Sequence, residues 1–226
     1  MRIISNLAFG LLVVATLPLV LLYVLQDRMI FPAPNLERMP DPPAGFSEVT
    51  IETPDGETPF GLFRPPCSGR PTIIVFHGNG DAAAFQHAKA DALTRSGFGV
   101  LLAEYRGYPG STGSPSEAGL YIDATAAYDF VRTRTPGPVG AYGHSLGAAV
   151  AIHLASVRDL YALVLESPFD SLLAVARRHY PWVPAIGKLL KHPFRSDQVI
   201  SDITAPILIL HGADDPTAAI PSLSLL

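Results

Sequence analysis

The hydrophobic pattern divides the chain into two unlike parts. Residues 3–25 carry no charged side chain and are apolar almost throughout, broken by isolated positions such as Ser5, Asn6 and Thr16. As a helix this stretch spans about 34 Å, enough for the hydrocarbon core of a bilayer. Pro18 is expected to kink it. The run is too long for a secretory leader, and no small-residue cleavage site follows it. Residues 1–26 are therefore read as a single-pass transmembrane anchor. Arg2 and the terminal amine precede it, which favours a cytoplasmic N-terminus and a domain on the far side. Pro32, Pro34, Pro40, Pro42 and Pro43 then make 27–45 a stiff linker.

Beyond this the period changes. Glu48, Val49, Thr50, Ile51 and Glu52 alternate as a half-buried strand, and 60–64 pairs back after a turn at Pro54, Asp55 and Gly56. Residues 72–76, 100–103, 138–142, 162–165 and 206–210 are short apolar runs, the pattern of strands covered on both faces. Helical segments separate them. One is expected to begin at Asp81 as its cap and stop at Gly97. Another starts at a capping box formed by Ser114 and Glu117, with Pro115 at the first helical position, and runs to about Thr133. Its Leu120, Ala124, Ala127, Tyr128 and Val131 recur at helical spacing. A third covers 148–156. Strands alternating with helices of this length predict an α/β domain over 46–226, built on a mostly parallel, doubly wound sheet. Chemistry should gather at the C-terminal strand ends. His77, Tyr105, Ser145, Glu166 and Asp215 all fall there.

One of these ends has a sharper signature. Gly143, His144, Ser145, Leu146 and Gly147 stand between a strand and a helix, the arrangement of a nucleophile elbow. The turn leaves no room beside the serine, which suits glycine at 143 and 147. A helix starting at the serine also turns its free N–H groups toward any oxyanion formed there.

Composition narrows the partners. The 226 residues are 48% hydrophobic with mean hydropathy +0.28, much of it from the first 26. A formal charge of −4 carries no nucleic-acid footprint. The single cysteine, Cys67, excludes an internal disulfide. No cluster of histidine and cysteine has ligand spacing and no phosphate-cradling loop is present, so neither metal nor organic cofactor is expected. Between 167 and 197 lies a cap-like segment in which Arg177, Arg178, Lys188, Lys191 and Arg195 interleave with Tyr180, Trp182 and Phe194. On an anchored protein such a segment suits an acidic head group or an anionic lipid surface.

Four motifs in order carry a resemblance. They are Phe76-His77-Gly78-Asn79-Gly80, the loop 105–113, the elbow 143–147, and Leu210-His211-Gly212-Ala213-Asp214-Asp215. Together they resemble the α/β-hydrolase superfamily over about 27–215. Within it they are similar to membrane-anchored proteins grouped with serine aminopeptidases and monoacylglycerol-lipase-like enzymes. The resemblance implies a serine hydrolase of ester, thioester or amide bonds in acyl or lipid-like substrates. It implies Ser145 as nucleophile, the backbone N–H groups of Leu146 and Asn79 as oxyanion hole, and Asp215 as triad acid, with Asp214 its neighbouring alternative. His77, Tyr105 and Glu166 become candidates for the substrate pocket. His77, His144 and His211 take structural roles, His87 and His153 fall on helices, and His179 and His192 lie over the site. The family pattern continues with a helix, a strand, a histidine-bearing loop and a final helix, whereas no histidine follows Asp215 here. The expectation is thus a sheet lacking its last strand and helix, with the base absent. A non-catalytic member that binds a ligand is the second reading.

Overall fold

The computed structural model describes residues 2–36, 40–183 and 185–212. Seven strands form one sheet in the order β1-β2-β4-β3-β5-β6-β7. They are β1 (Ser47–Thr50), β2 (Phe60–Arg64), β3 (Thr72–Phe76), β4 (Gly99–Ala103), β5 (Val139–His144), β6 (Leu163–Glu166) and β7 (Ile207–Leu210). The first two run antiparallel, and β3 to β7 pair in parallel. The apolar runs follow from coverage on both faces. Ile74 and Phe76 of β3, with Leu101 and Ala103 of β4, join one buried cluster. Val75, Val100 and Leu102 alternate into a second cluster on the opposite face.

The larger cluster is covered by α3 (Glu117–Arg134) and α4 (Leu146–Val157), the smaller by a 3₁₀ turn at Ala83–Phe85 and α2 (His87–Arg95). Two helix starts differ from the sequence reading. Asp81 does not cap an early helix. Its carboxylate accepts from the adjacent Ala82 N–H (2.8 Å) and from the Gln86 amide (2.6 Å), and the regular helix begins six residues later at His87. The cap of α3 is Ser116, whose Oγ accepts from Gly119 N–H at 3.1 Å, so Ser114 and Glu117 do not form the expected box.

The N-terminal segment is one helix, α1 (Arg2–Ile30), which Pro18 does not interrupt. It continues through Asp27 and Arg28, past the expected start of the linker. Phe31 is then buried in the main core. Among the described residues, no helix is long and apolar enough to cross a membrane. The segment expected to act as a cap holds α5 (Leu172–His179) and the short α6 (Ile186–Leu189). On the last described strand, Leu208 and Leu210 are exposed. The acid candidates Asp214 and Asp215 lie outside the described residues.

Candidate active site

The connection after β3 leads away toward β4, while that after β5 leads toward β6 on the other side. Adjacent strands whose connections diverge leave a crevice at their C-terminal ends. Ser145 stands there, between the end of β5 and the start of α4, with φ 52° and ψ −112°. A side chain at positive φ is costly, and such strain persists only where the surroundings enforce it. Here the Ser145 N–H donates to Glu166 O at 2.9 Å and its carbonyl accepts from Ala148 N–H at 2.9 Å. The turn is fixed from both sides.

The glycines explain how it closes. A Cβ on Gly143 would strike the carbonyl oxygen of Gly147 and lie 2.6 Å from Ala148 Cα. One on Gly147 would strike the carbonyl oxygen of Phe76 and lie 2.6 Å from His77 O. Strand β3, strand β5 and helix α4 therefore meet at backbone contact, which larger residues would prevent. The first N–H groups of α4 have no acceptor within the helix and point their positive end at the crevice.

Ser145 opens into a cavity of about 720 Å³, within the range usual for small-molecule sites. Strand-end loops supply its polar floor through Asn79, Asp81, His144, Ser145 and Ser167, beside Gly78 and Leu146. Helices supply its apolar walls. Leu172, Val175, Ala176 and His179 share one face of α5, and Leu22, Gln26, Met29 and Ile30 share one face of α1. Of the expected site residues, the structure brings together Ser145, Leu146, Asn79 and His144.

Three pocket candidates stand elsewhere, and this corrects the sequence reading. His77 and Tyr105 are fully buried beneath the loop and do not line the cavity. His77 Nδ1 meets Gly78 O at 2.8 Å and Nε2 meets Glu104 Oε1 at 2.6 Å, so both ring nitrogens face acceptors. Burial opposes charge on this ring, but the Glu104 carboxylate outweighs it and raises the pKa above 6.5. Glu104 also accepts from the N–H groups of Ala83 (2.9 Å) and Tyr105 (3.2 Å), and Tyr105 Oη donates to His77 O at 2.8 Å. The unit braces the loop that carries Asn79. Glu166 is also absent from the cavity lining. It accepts from Tyr142 Oη at 2.7 Å and pairs with Lys89 at 3.2 Å. Burial would raise its pKa, yet these two partners hold it below the usual value.

Arg106 performs a similar task for the loop after β4. It is buried between Asp123 (2.7 Å) and Asp55 (2.6 Å), and its hydrogen bonds with that of Thr53 lower Asp55 to about 2. Two of the five cap cations are also used internally. Lys191 pairs with Asp27 at 2.9 Å and Arg195 with Asp197 at 2.7 Å. Arg177, Arg178 and Lys188 remain exposed, as does Trp182.

The contribution of α1 was missed in the sequence. In a uniformly apolar run, no polar position marks which face turns inward. The one available signal was Gln26, an amide directly after that run. Ser167, a cavity residue at φ 46°, carried no signal beyond its place after a strand.

Comparison with known proteins agrees with this architecture. The family model for serine aminopeptidase, S33, matches residues 68–199. An uncharacterized protein of Mycobacterium tuberculosis is 40% identical over 199 residues, covering 84% of this chain and 70% of its own length. The lysophosphatidylserine lipase ABHD12 of Rattus norvegicus is 34% identical over 171 residues, 66% of this chain but 42% of the lipase. The chain thus spans less than half of that relative. The Pyrococcus furiosus esterase Pf2001 superposes with a TM-score of 0.65 over 83% of this chain and 82% of its own, at 21% identity, a likeness of fold. The elbow, the strand order and these matches lead to one assignment: the chain belongs to the serine aminopeptidase S33 family of serine hydrolases, within the α/β-hydrolase superfamily.

Proposed function

We propose that this hydrolase cleaves ester bonds of lipid-like acyl substrates through an acyl-enzyme on Ser145. The observation that carries the reading is the strained serine at the head of α4, opening directly into an apolar cavity. In this mechanism Ser145 Oγ attacks the acyl carbonyl, and charge collects on the carbonyl oxygen. The N–H groups of Leu146 and Asn79 donate hydrogen bonds to that oxygen. Removing one such donor typically costs about 3 kcal/mol of transition-state stabilisation. The alcohol leaves with the proton that Ser145 Oγ gives up; water then adds to the acyl carbonyl, the carboxylic acid is released, and one proton of that water returns to Ser145 Oγ. Asp215 is assigned as the acid, with Asp214 as its alternative. The lysophosphatidylserine lipase relative supports a single-chain lipid ester as the substrate type.

Attachment to a lipid surface through α1 belongs to the same proposal. Val14, Leu17, Val20 and Leu21 are exposed on that helix, a run of apolar surface that water disfavours. The exposed Trp182 and the cations of α5 suit the same surface.

The test is the reaction of full-length protein with a fluorophosphonate probe and with p-nitrophenyl esters at neutral pH. Wild type should label rapidly and turn over, and Ser145→Ala should do neither. Labelling of wild type no faster than Ser145→Ala would overturn the assignment and favour the ligand-binding reading.

A further inference from the structure

The cavity is not closed by the hydrolase domain alone. Leu22, Met29 and Ile30 of α1 form one of its walls, facing the apolar stripe of α5. A helix that merely tethered the domain would have no reason to be fastened beside the site. This one is fastened with a buried amide. Gln26 Nε2 donates to Tyr23 O and to Leu189 O, both at 3.0 Å, and Gln26 Oε1 accepts from Lys191 N–H at 2.7 Å. Two of these three bonds thus tie α1 to the end of α6 and the residue just beyond it. Asp27 extends the fastening to Lys191 Nζ at 2.9 Å and His192 Nε2 at 3.1 Å. Phe31 completes it, with its ring 5.1 Å from His192 and 6.2 Å from Phe194.

We propose that α1 is a wall of the acyl-chain site, held in place by Gln26 as a positioning residue, so that the N-terminal helix makes the enzyme selective for esters of one long, unbranched acyl chain. The inference rests on the assignment of Ser145 as the acyl-accepting residue. A tail attached at Ser145 leaves the polar floor and enters a space bounded by two helices. Long chains gain contacts with Leu22 and Met29, whereas short ones end before reaching them. Replacing Gln26 by leucine removes the partners of the Leu189 carbonyl and the Lys191 N–H at this partly buried seam, which favours release of α1.

Full-length protein is compared in two assays. The first is fluorescence titration with a long-chain polyene fatty acid, cis-parinaric acid. The second is turnover of p-nitrophenyl dodecanoate against p-nitrophenyl butyrate. Leu22→Trp fills the space along the wall and should weaken fatty-acid binding by about tenfold or more, because several methylene groups lose their burial. Met29→Trp is the second variant, should the first fail to fold. Val24→Trp, on the exposed outer side of the same helix, should leave binding unchanged. Gln26→Leu should raise KM for the dodecanoate several-fold more than KM for the butyrate, with kcat changed alike on both esters, a split that general destabilisation does not produce. Wild-type binding in both tryptophan variants, or equal losses on both esters in Gln26→Leu, would overturn the inference. Ser145→Ala keeps the two readings separate: it should abolish turnover and retain fatty-acid binding. A wild type that binds the fatty acid at the α1 wall without hydrolysing either ester defeats the Ser145 assignment alone.

Discussion

Replacing Gly147 by alanine tests the closeness of the elbow to the sheet. The added Cβ would meet the Phe76 carbonyl oxygen head-on and lie 2.6 Å from His77 O. Ordinary contact for a real Cβ begins near 3.4 Å, so the second contact alone demands 3.4 − 2.6, or about 0.8 Å, of separation. Both obstacles are backbone atoms of β3 and its following residue, so no side chain can rotate away. The relief available is a shift of α4 outward from β3. Overpacking of this kind costs about 1–3 kcal/mol, and the upper part of that range applies where backbone must move. The catalytic cost is larger in proportion, since Ser145 begins the displaced helix. A misplacement near 1 Å can reduce rate by about 10²-fold. Urea unfolding and kcat/KM on p-nitrophenyl butyrate read the two effects separately. An alanine variant with an unchanged unfolding midpoint and undiminished kcat/KM would refute the backbone-contact argument.

Two further outcomes are expected. Because Glu104 raises the His77 pKa above 6.5, the pair's contribution to stability is complete below that value and is lost as pH rises through the folded pKa. Unfolding midpoints of wild type should therefore fall from weakly acidic to mildly alkaline solution more steeply than those of Glu104→Gln; parallel slopes would contradict the pairing. Full-length protein should also sediment with vesicles containing an anionic lipid, and replacing Arg177 and Arg178 by glutamate should reduce the fraction bound. Unchanged sedimentation in that double variant would remove the cationic face from the attachment.

The parts of the molecule readable from sequence are those where one requirement dominates. Strands β3 and β4 announce themselves because both faces are covered and, past Thr72 at the start of β3, every position but Gly99 is apolar. The elbow is legible because its glycines answer to backbone contacts that no other residue satisfies. Legibility fails where two local solutions compete. Ser114 and Ser116 both offer a cap to α3, and only the packed position of the chain selects Ser116. His77 and Tyr105 stand at strand ends, as site residues do, yet the loop turns them under itself toward Glu104 and the backbone. Sequence position gives the strand end but not the direction of the side chain. The inner face of α1 was hidden for a different reason. Its partners, α5 and the residues after α6, lie more than a hundred positions away.

The fastening at Gln26 separates two boundaries that are easily taken as one. Every strand of the sheet lies beyond residue 45 and its main core takes in Phe31, so the border of the fold falls at the end of α1. The border of the site falls earlier, inside the helix, at Leu22. A shortened chain that begins at Asp27 would keep the sheet, the elbow and Ser145. It would lose a flank of the cavity and bare the inner stripe of α5 to water. Removal of the apolar segment to gain solubility would therefore also remove part of the enzyme's means of choosing its substrate.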